Sequence, residues 1–119
     1  MRDVVKAMKA LSDGTRLRIL NILLERECCV CEVMQALDIS QTRASRNLGI
    51  LHDAGFLKMR KEGLWALYSI DQDGMKEYYP SLVDAVRKSL EGDEVAALDR
   101  KRLKIAERVG PGCVKKCAR

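Results

Sequence analysis

The chain has 119 residues, 47% of them hydrophobic and 33% charged, which is the composition of one soluble globular domain. No apolar run approaches the ~20 residues of a membrane-spanning helix, and residues 1–6 show no signal-peptide pattern. We therefore expect a cytoplasmic protein that does not enter a membrane. The net charge of +5 comes from residues 100–119, which hold eight Lys or Arg and one acid. The overall charge therefore does not by itself indicate a nucleic-acid-binding protein.

Four helices are predicted in the first half of the chain. Apolar residues from Val4 to Leu11 follow the period of an amphipathic helix, and four leucines between residues 17 and 24 predict a second. A third helix is predicted from about Cys29 to Leu37. After a tight connection, Ser40 is a good N-cap for a fourth helix that Gly55 ends. The inward-facing residues of this fourth helix are predicted to be Ala44, Leu48 and Leu51.

The pattern then changes to that of a β-hairpin. Residues 56–60 and 64–70 are short, apolar or alternating, and Gly63 between them allows the positive φ of a hairpin turn. Pro80 predicts a kink or a late start in the helix that follows. Residues 93–109 predict a last helix, with Val95, Leu98, Ile105 and Val109 as its apolar positions. We predict one domain over residues 1–110 and a flexible, basic, cysteine-bearing tail over residues 111–119.

Short helices, a three-residue turn and a basic hairpin together describe a winged helix-turn-helix, a mainly α fold with a β-hairpin. Between residues 41 and 61 there are five cations and one acid. A recognition helix contacts bases mainly through its N-terminal residues, and the hairpin lies near the DNA backbone. An ordinary solvent-exposed helix face is the alternative, but the coincidence of these features favours double-stranded DNA as the partner. The predicted DNA-binding residues are Gln41, Thr42, Arg43, Ser45, Arg46, Arg60 and Lys61.

Four stretches of the chain resemble the ArsR/SmtB family of metal-responsive repressors. They are TRLRIL at 15–20, CVCEV at 29–33, SQTRASRNL at 40–48 and RKEG at 60–63. The resemblance covers about residues 5–90. It implies a homodimer, formed by helices near 3–11 and 75–91, that represses an operon and leaves its operator DNA when a metal or metalloid binds. It also implies that the protein is not an enzyme.

The pair Cys29 and Cys31 resembles the inducer site of arsenic, cadmium and lead sensors in this family. The best-known arsenic version has a third cysteine three positions later, where this chain has Met34. Residues two apart on a helix point about 200° apart, so Cys29 and Cys31 are not expected to face one ion on an undisturbed helix, whereas Cys28 and Cys31, three apart, share a face. If all three bind one centre, we expect the first helical turn to distort. The helix N-terminus and Arg26 are expected to lower the thiol pKa values, whereas Glu27 and Glu32 are expected to raise them. The third thiolate could come from any of three other cysteines: Cys28, Cys113 and Cys117.

Arsenite or antimonite is the predicted inducer, because three thiolates neutralise a trivalent centre. A repressor that senses cadmium or lead (or zinc) through Cys29, Cys31, Cys113 and Cys117 is one alternative. A repressor that senses oxidants through the same thiols is another, and the cysteines could also be small buried hydrophobes. No catalytic residue is predicted, because a thiol enzyme would require an activated nucleophile beside a phosphate-binding loop, and the sequence has no such loop.

Overall fold

The computed structural model describes residues 1–109, so Cys113, Cys117 and the predicted tail lie outside the described residues. Three strands form an antiparallel sheet in the order β1-β3-β2. The predicted mainly α fold with a β-hairpin wing is confirmed. The helices are α1 (Arg2–Leu11), α2 (Gly14–Leu23), α3 (Val30–Leu37), α4 (Gln41–Asp53), α5 (Tyr79–Ser89) and α6 (Glu94–Ile105). The strands are β1 (Cys28–Cys29), β2 (Leu57–Glu62) and β3 (Trp65–Ile70).

Local sequence signals fix most of the element ends. The Ser40 hydroxyl accepts the Arg43 N–H at 3.2 Å and caps α4, as predicted. Gly63 has φ +61° in the wing turn, and Gly55 has φ +94° just after α4, so both glycines adopt the left-handed conformation that the chain requires there. Pro80 lies in the first turn of α5, which confirms the late start.

The helix-turn-helix packs through one buried layer. Ala44, Leu48 and Leu51 of α4 are fully buried, as their spacing predicts. Phe56, also fully buried, follows α4 and leads the chain into the wing. The turn between α3 and α4 is tight: Asp38 adopts the left-handed conformation, and the Ile39 N–H donates to the Met34 carbonyl at 3.2 Å. This packing holds α4 at a fixed angle to α3.

The predicted apolar face of α6 is wrong. Its expected core positions Val95, Leu98 and Ile105 are 45–80% exposed, whereas Ala96, Asp99 and Leu103 are buried. Asp99 is completely buried and pairs with Arg18 of α2 through two contacts, at 2.7 and 2.8 Å. The helix therefore packs on α2 and α3 partly through an ion pair, which hydrophobic periodicity does not report.

The last helix is also shorter than predicted, because α6 ends at Ile105 and residues 106–109 continue as an extended segment. We call residues 106–109 the strap. Within residues 1–109, no helix is long and apolar enough to cross a bilayer.

Candidate functional site

The outward face of α4 carries the predicted DNA-binding side chains. Gln41, Thr42, Arg43, Ser45 and Arg46 are all exposed, while the opposite face of the helix is buried. The Arg43 guanidinium donates to the Thr15 hydroxyl of α2 at 2.8 Å. The first two turns of α4 therefore present a polar, basic surface suited to the major groove.

Arg16 holds this helix in place, a role that the sequence analysis missed. Its guanidinium donates to the Asn47 side-chain oxygen at 2.8 Å and to the Ala10 carbonyl at 2.6 Å. Asn47 in turn donates to the Arg43 carbonyl at 2.9 Å. These contacts join α1, α2 and α4, so the orientation of the α4 surface depends on a partly buried polar network that no sequence period indicates.

The two predicted wing residues differ in their surroundings. Lys61 is exposed. Arg60 donates to both carboxylate oxygens of Glu27, at 2.5 and 3.1 Å, and to Glu62 at 3.3 Å. The Arg60 guanidinium holds the pKa of the Glu27 carboxyl below its ordinary value. Since Glu27 immediately precedes the cysteines, this ion pair joins the wing to the cysteine segment.

Cys29 and Cys31 lie together at the start of α3. Cys29 is the N-cap of the helix, with the extended backbone angles φ −83° and ψ 171°, and Cys31 is in the first turn. Their sulfurs are 3.1 Å apart. The expectation that Cys29 and Cys31 cannot face one ion beside an undisturbed helix is therefore wrong, because the helix begins at Val30 and Cys29 lies before it. The expected shared helix face of Cys28 and Cys31 is also wrong, because Cys28 lies in β1. The predicted helix start at Cys29 is one residue early.

Cys28 points away from this pair. Cys28 and Cys29 form β1, which pairs with Tyr68 and Leu67 of β3, and successive side chains of a strand point to opposite faces. The Cys28 thiol donates to the Arg26 carbonyl at 3.5 Å. Only the Cys29 and Cys31 sulfurs are therefore brought together among the cysteines that the structure describes.

Glu32 organises the charges around the cysteines. It is buried, and its carboxylate accepts the Cys29 N–H at 2.9 Å, Arg26 at 2.5 Å and Arg108 at 3.0 Å. Burial alone would raise the pKa of Glu32, but these three donors lower it below its ordinary value. The carboxylate is therefore charged and neutralised by two arginines. The spacing of Glu32 three residues after the N-cap is the capping-box signal that could have revealed this role.

The helix N-terminus and Arg26 do not lower the pKa values of Cys28 and Cys29 overall, whereas the expected opposing effect of Glu32 is confirmed. Burial and, to a smaller extent, the Glu32 carboxylate raise the pKa of Cys28 to about 12, and Arg26 opposes the change only in part. Burial and Glu32 also raise the pKa of Cys29, against the N–H groups of the helix start. The loss of hydration thus outweighs the helix N-terminus.

The strap lies against Cys31. The Cys31 sulfur lies 3.8 Å from the Glu107 carbonyl oxygen. The Gln35 side chain donates to that carbonyl at 2.7 Å and accepts the Glu107 N–H at 3.1 Å. The Trp65 indole N–H donates to the Val109 carbonyl at 3.2 Å. The sequence pattern predicts a helix through these residues and indicates none of these contacts.

Within residues 1–109, no group of three or more His, Cys, Asp or Glu side chains is arranged to hold a metal ion. The described residues therefore bring together two of the predicted thiol ligands. The predicted ligands Cys113 and Cys117 lie outside this part of the chain.

Comparisons with known proteins agree with this architecture. The family model described as "Bacterial regulatory protein, arsR family" matches residues 13–59. A cadmium resistance transcriptional regulatory protein CadC homolog from Staphylococcus aureus is 45% identical over 76 residues, and the match spans 63% of each chain. The arsenic resistance transcriptional regulator ArsR1 of Pseudomonas putida is 36% identical over 111 residues, covering 90% of this chain and 83% of that one.

A solved structure shows the same fold. Mb0332 from Mycobacterium bovis, a homodimeric winged helix-turn-helix DNA-binding domain, superposes with a TM-score of 0.64 at 30% identity. The superposition covers 78% of this chain and 82% of that one. With its fold, its exposed recognition helix and its relatives in agreement, the chain belongs to the ArsR family of bacterial regulatory proteins, which are DNA-binding transcriptional regulators and not enzymes.

Proposed function

We propose that this protein is a transcriptional repressor of a metalloid-resistance operon that leaves its operator when As(III) or Sb(III) binds Cys29 and Cys31. The single observation that carries the proposal is the 3.1 Å separation of the two sulfurs at the start of the helix that precedes the recognition helix. The arsenic-resistance regulator among the relatives, similar over 90% of this chain, supports it.

The distance between the sulfurs favours a three-coordinate centre. With metal–sulfur bonds of about 2.3 Å, the two sulfurs subtend roughly 85° at a shared centre. A tetrahedral ion requires an angle of about 109° between two bound sulfurs. The corresponding angle at a pyramidal trivalent centre is smaller and therefore closer to the roughly 85° that these two sulfurs subtend. Arsenous acid would react with three thiols, each arsenic–oxygen bond being replaced by an arsenic–sulfur bond and each hydroxide leaving with a thiol proton as water, which gives a neutral complex and three waters.

The third thiolate is proposed to come from Cys113 or Cys117. Glu107 already contacts Cys31, and Cys113 follows Glu107 by six residues, a span of at most about 20 Å. Cys28 is the less favourable choice, because its sulfur lies on the opposite face of β1 and bonds to the Arg26 carbonyl.

Release from DNA follows from the position of the pair. A ligand at Cys29 and Cys31 acts on the N-terminus of α3, and α3 joins α4 through a tight turn. We propose that the ligand changes the angle of α4 and so the fit of its N-terminal residues in the major groove.

The proposed DNA contacts divide into two kinds. Gln41 and Arg43 contact bases, whereas Lys61 contacts phosphate. Further DNA contacts, to bases or to phosphate, come from Thr42, Ser45, Arg46 and Arg60. Arg43→Ala or Gln41→Ala should cost about 1–3 kcal/mol at the operator and relax the preference at particular bases. Lys61→Ala should weaken binding to every sequence and reduce the salt slope by about 1. Equal losses on specific and random DNA in all three variants would contradict this assignment.

The proposed homodimer forms through α1 and α5. Met8 is 49% exposed and Val5 46% exposed on α1, and Leu82 and Leu90 of α5 are partly exposed. Burying these side chains in a two-fold interface would place two recognition helices about one DNA turn apart. Sedimentation should therefore give a dimer at micromolar concentration. A monomer at that concentration would exclude this interface.

A cadmium- or lead-sensing repressor is the second candidate, because a CadC homolog is 45% identical over 76 residues. It would use Cys29, Cys31, Cys113 and Cys117. Four thiolates on a divalent ion leave a charge of −2, and Lys115 and Lys116 between the last two cysteines are the cations nearest in sequence.

X-ray absorption separates the two candidates, because it counts sulfur ligands on each bound centre. Three sulfurs on arsenic in the wild type and two in Cys29→Ser or Cys31→Ser would support metalloid sensing. In parallel, a DNA-release titration with arsenite, cadmium or the thiol oxidant diamide identifies the effector. Release by diamide alone would instead identify a redox-sensing repressor.

A further inference from the structure

The cysteine pair is covered. Cys31 is 0% and Cys29 is 1% exposed, so no reagent reaches either sulfur unless a neighbouring segment moves. The strap lies against Cys31 through the Glu107 carbonyl. We propose that the strap is a gate that controls the entry of thiol-binding ligands, and that the hydrogen bonds of Gln35 and Trp65, together with the Arg108–Glu32 ion pair, hold it closed. As a gate for an inducer, it rests on the function proposed above.

The strap is built to open separately from the rest of the fold. Helix α6 ends at Ile105, and Ala106 takes the extended angles φ −70° and ψ 139°, so a hinge at this residue leaves the helix intact. The ion pair of Asp99 with Arg18 fixes α6 to α2, about two helical turns before the hinge. The strap itself is bound by polar contacts, which include the ion pair of Arg108 with Glu32 at 3.0 Å, and its Val109 side chain packs partly buried against the core.

Two of those contacts form a pair that fixes the strap over the sulfur. Gln35 binds both the N–H and the carbonyl of Glu107, and that same carbonyl faces Cys31. Trp65 of the wing binds the Val109 carbonyl two residues further on. An inducer at Cys31 would displace the Glu107 carbonyl and with it the bond to Gln35. Ligand binding and strap opening are therefore coupled, and Trp65 extends the coupling to the wing.

Alkylation of the reduced protein by iodoacetamide, free of oxygen, tests the gate. Trypsin cuts after Arg26 and Arg43, so Cys28, Cys29 and Cys31 fall in one peptide, and fragmentation distinguishes them. Gln35→Ala removes both bonds to Glu107. Trp65→Phe keeps an aromatic ring and removes only the N–H. Gln72→Ala, at an exposed loop position, is the matched control.

Loss of two hydrogen bonds of ordinary strength should raise the alkylation rate of Cys31 in Gln35→Ala roughly tenfold or more. Trp65→Phe should raise it roughly fivefold. Cys28 should react at the wild-type rate in both variants, because β1 stays paired with β3. A wild-type rate at Cys31 in both variants overturns the proposal, as does a parallel increase at Cys28, which would mean that the segment unfolds as a whole.

Stopped-flow association of arsenite links the gate to the inducer. The association rate should rise in Gln35→Ala by the same factor as alkylation of Cys31. Faster alkylation without faster arsenite association would show that the strap does not gate the inducer. If arsenite fails to bind wild type, the proposed function fails, while the alkylation rates still decide whether the strap covers the thiols.

Discussion

Replacement of Cys28 by Ala tests which thiols form the proposed site. To bind a metalloid, Cys28 must leave the opposite face of β1 and lose its proton. Burial raises its pKa from 9.0 to about 12, and this difference costs about 4 kcal/mol relative to an ordinary thiol. We therefore expect Cys28→Ala to bind arsenite with a Kd within about threefold of wild type. If Cys28 were a ligand, its removal would raise the Kd for arsenite by much more than this factor.

The matched substitutions are Cys29→Ala and Cys31→Ala. Each should weaken arsenite binding more than about 100-fold, since even side chains outside the ligand shell contribute 10–100-fold to metal affinity. Isothermal titration under reducing conditions measures all three, and circular dichroism confirms that each variant is folded. A loss in Cys28→Ala equal to that in Cys29→Ala would refute the reasoning, because it would require the Cys28 sulfur to reach the shared centre.

Three further predictions concern stability and DNA affinity. Because the pKa of Cys28 is higher in the folded than in the unfolded protein, the unfolded protein loses this thiol proton first as the pH rises. The free energy of unfolding should therefore fall above about pH 9, by up to about 1.4 kcal/mol per pH unit. Denaturant titrations of Cys28→Ala should show a shallower fall of the free energy of unfolding with pH. Asp99→Ala should cost about 3–5 kcal/mol in urea unfolding, because Arg18 loses its partner in a buried pair; a loss under 1 kcal/mol would contradict this. Glu27→Gln should tighten operator binding a few-fold in fluorescence anisotropy, because the Glu27 carboxylate then no longer competes with a DNA phosphate for the Arg60 guanidinium. An unchanged Kd would argue against that competition.

The DNA-reading half of the molecule could be predicted from sequence because its signals are local. Ser40 caps α4, three apolar residues fix its inner face, and Gly63 permits the wing turn. Each signal acts within a few residues, so periodicity and turn chemistry are sufficient. The outward residues of α4 follow from the same period.

The cysteine site could be predicted only in part, because its geometry depends on distant pairing. Strand β1 has two residues and exists because Cys28 and Cys29 pair with Tyr68 and Leu67, about forty residues later. That pairing makes Cys29 an N-cap and turns Cys28 away. The packing face of α6 was missed for a similar reason, since the partner of Asp99 is Arg18 on the second helix.

The left-handed turn at Asp38 limits how the protein could respond to the proposed inducer. Only residues 38–40 separate α3 from α4, and the Leu37 carbonyl at the end of α3 is also bound by Arg18 at 3.0 Å. A connection this short has no slack to absorb a displacement, so α3 cannot move without carrying α4 with it. For the same reason, a glycine inserted after Asp38 should give a protein that still binds thiophilic ligands and still binds DNA, but in which ligand binding no longer changes the affinity for DNA.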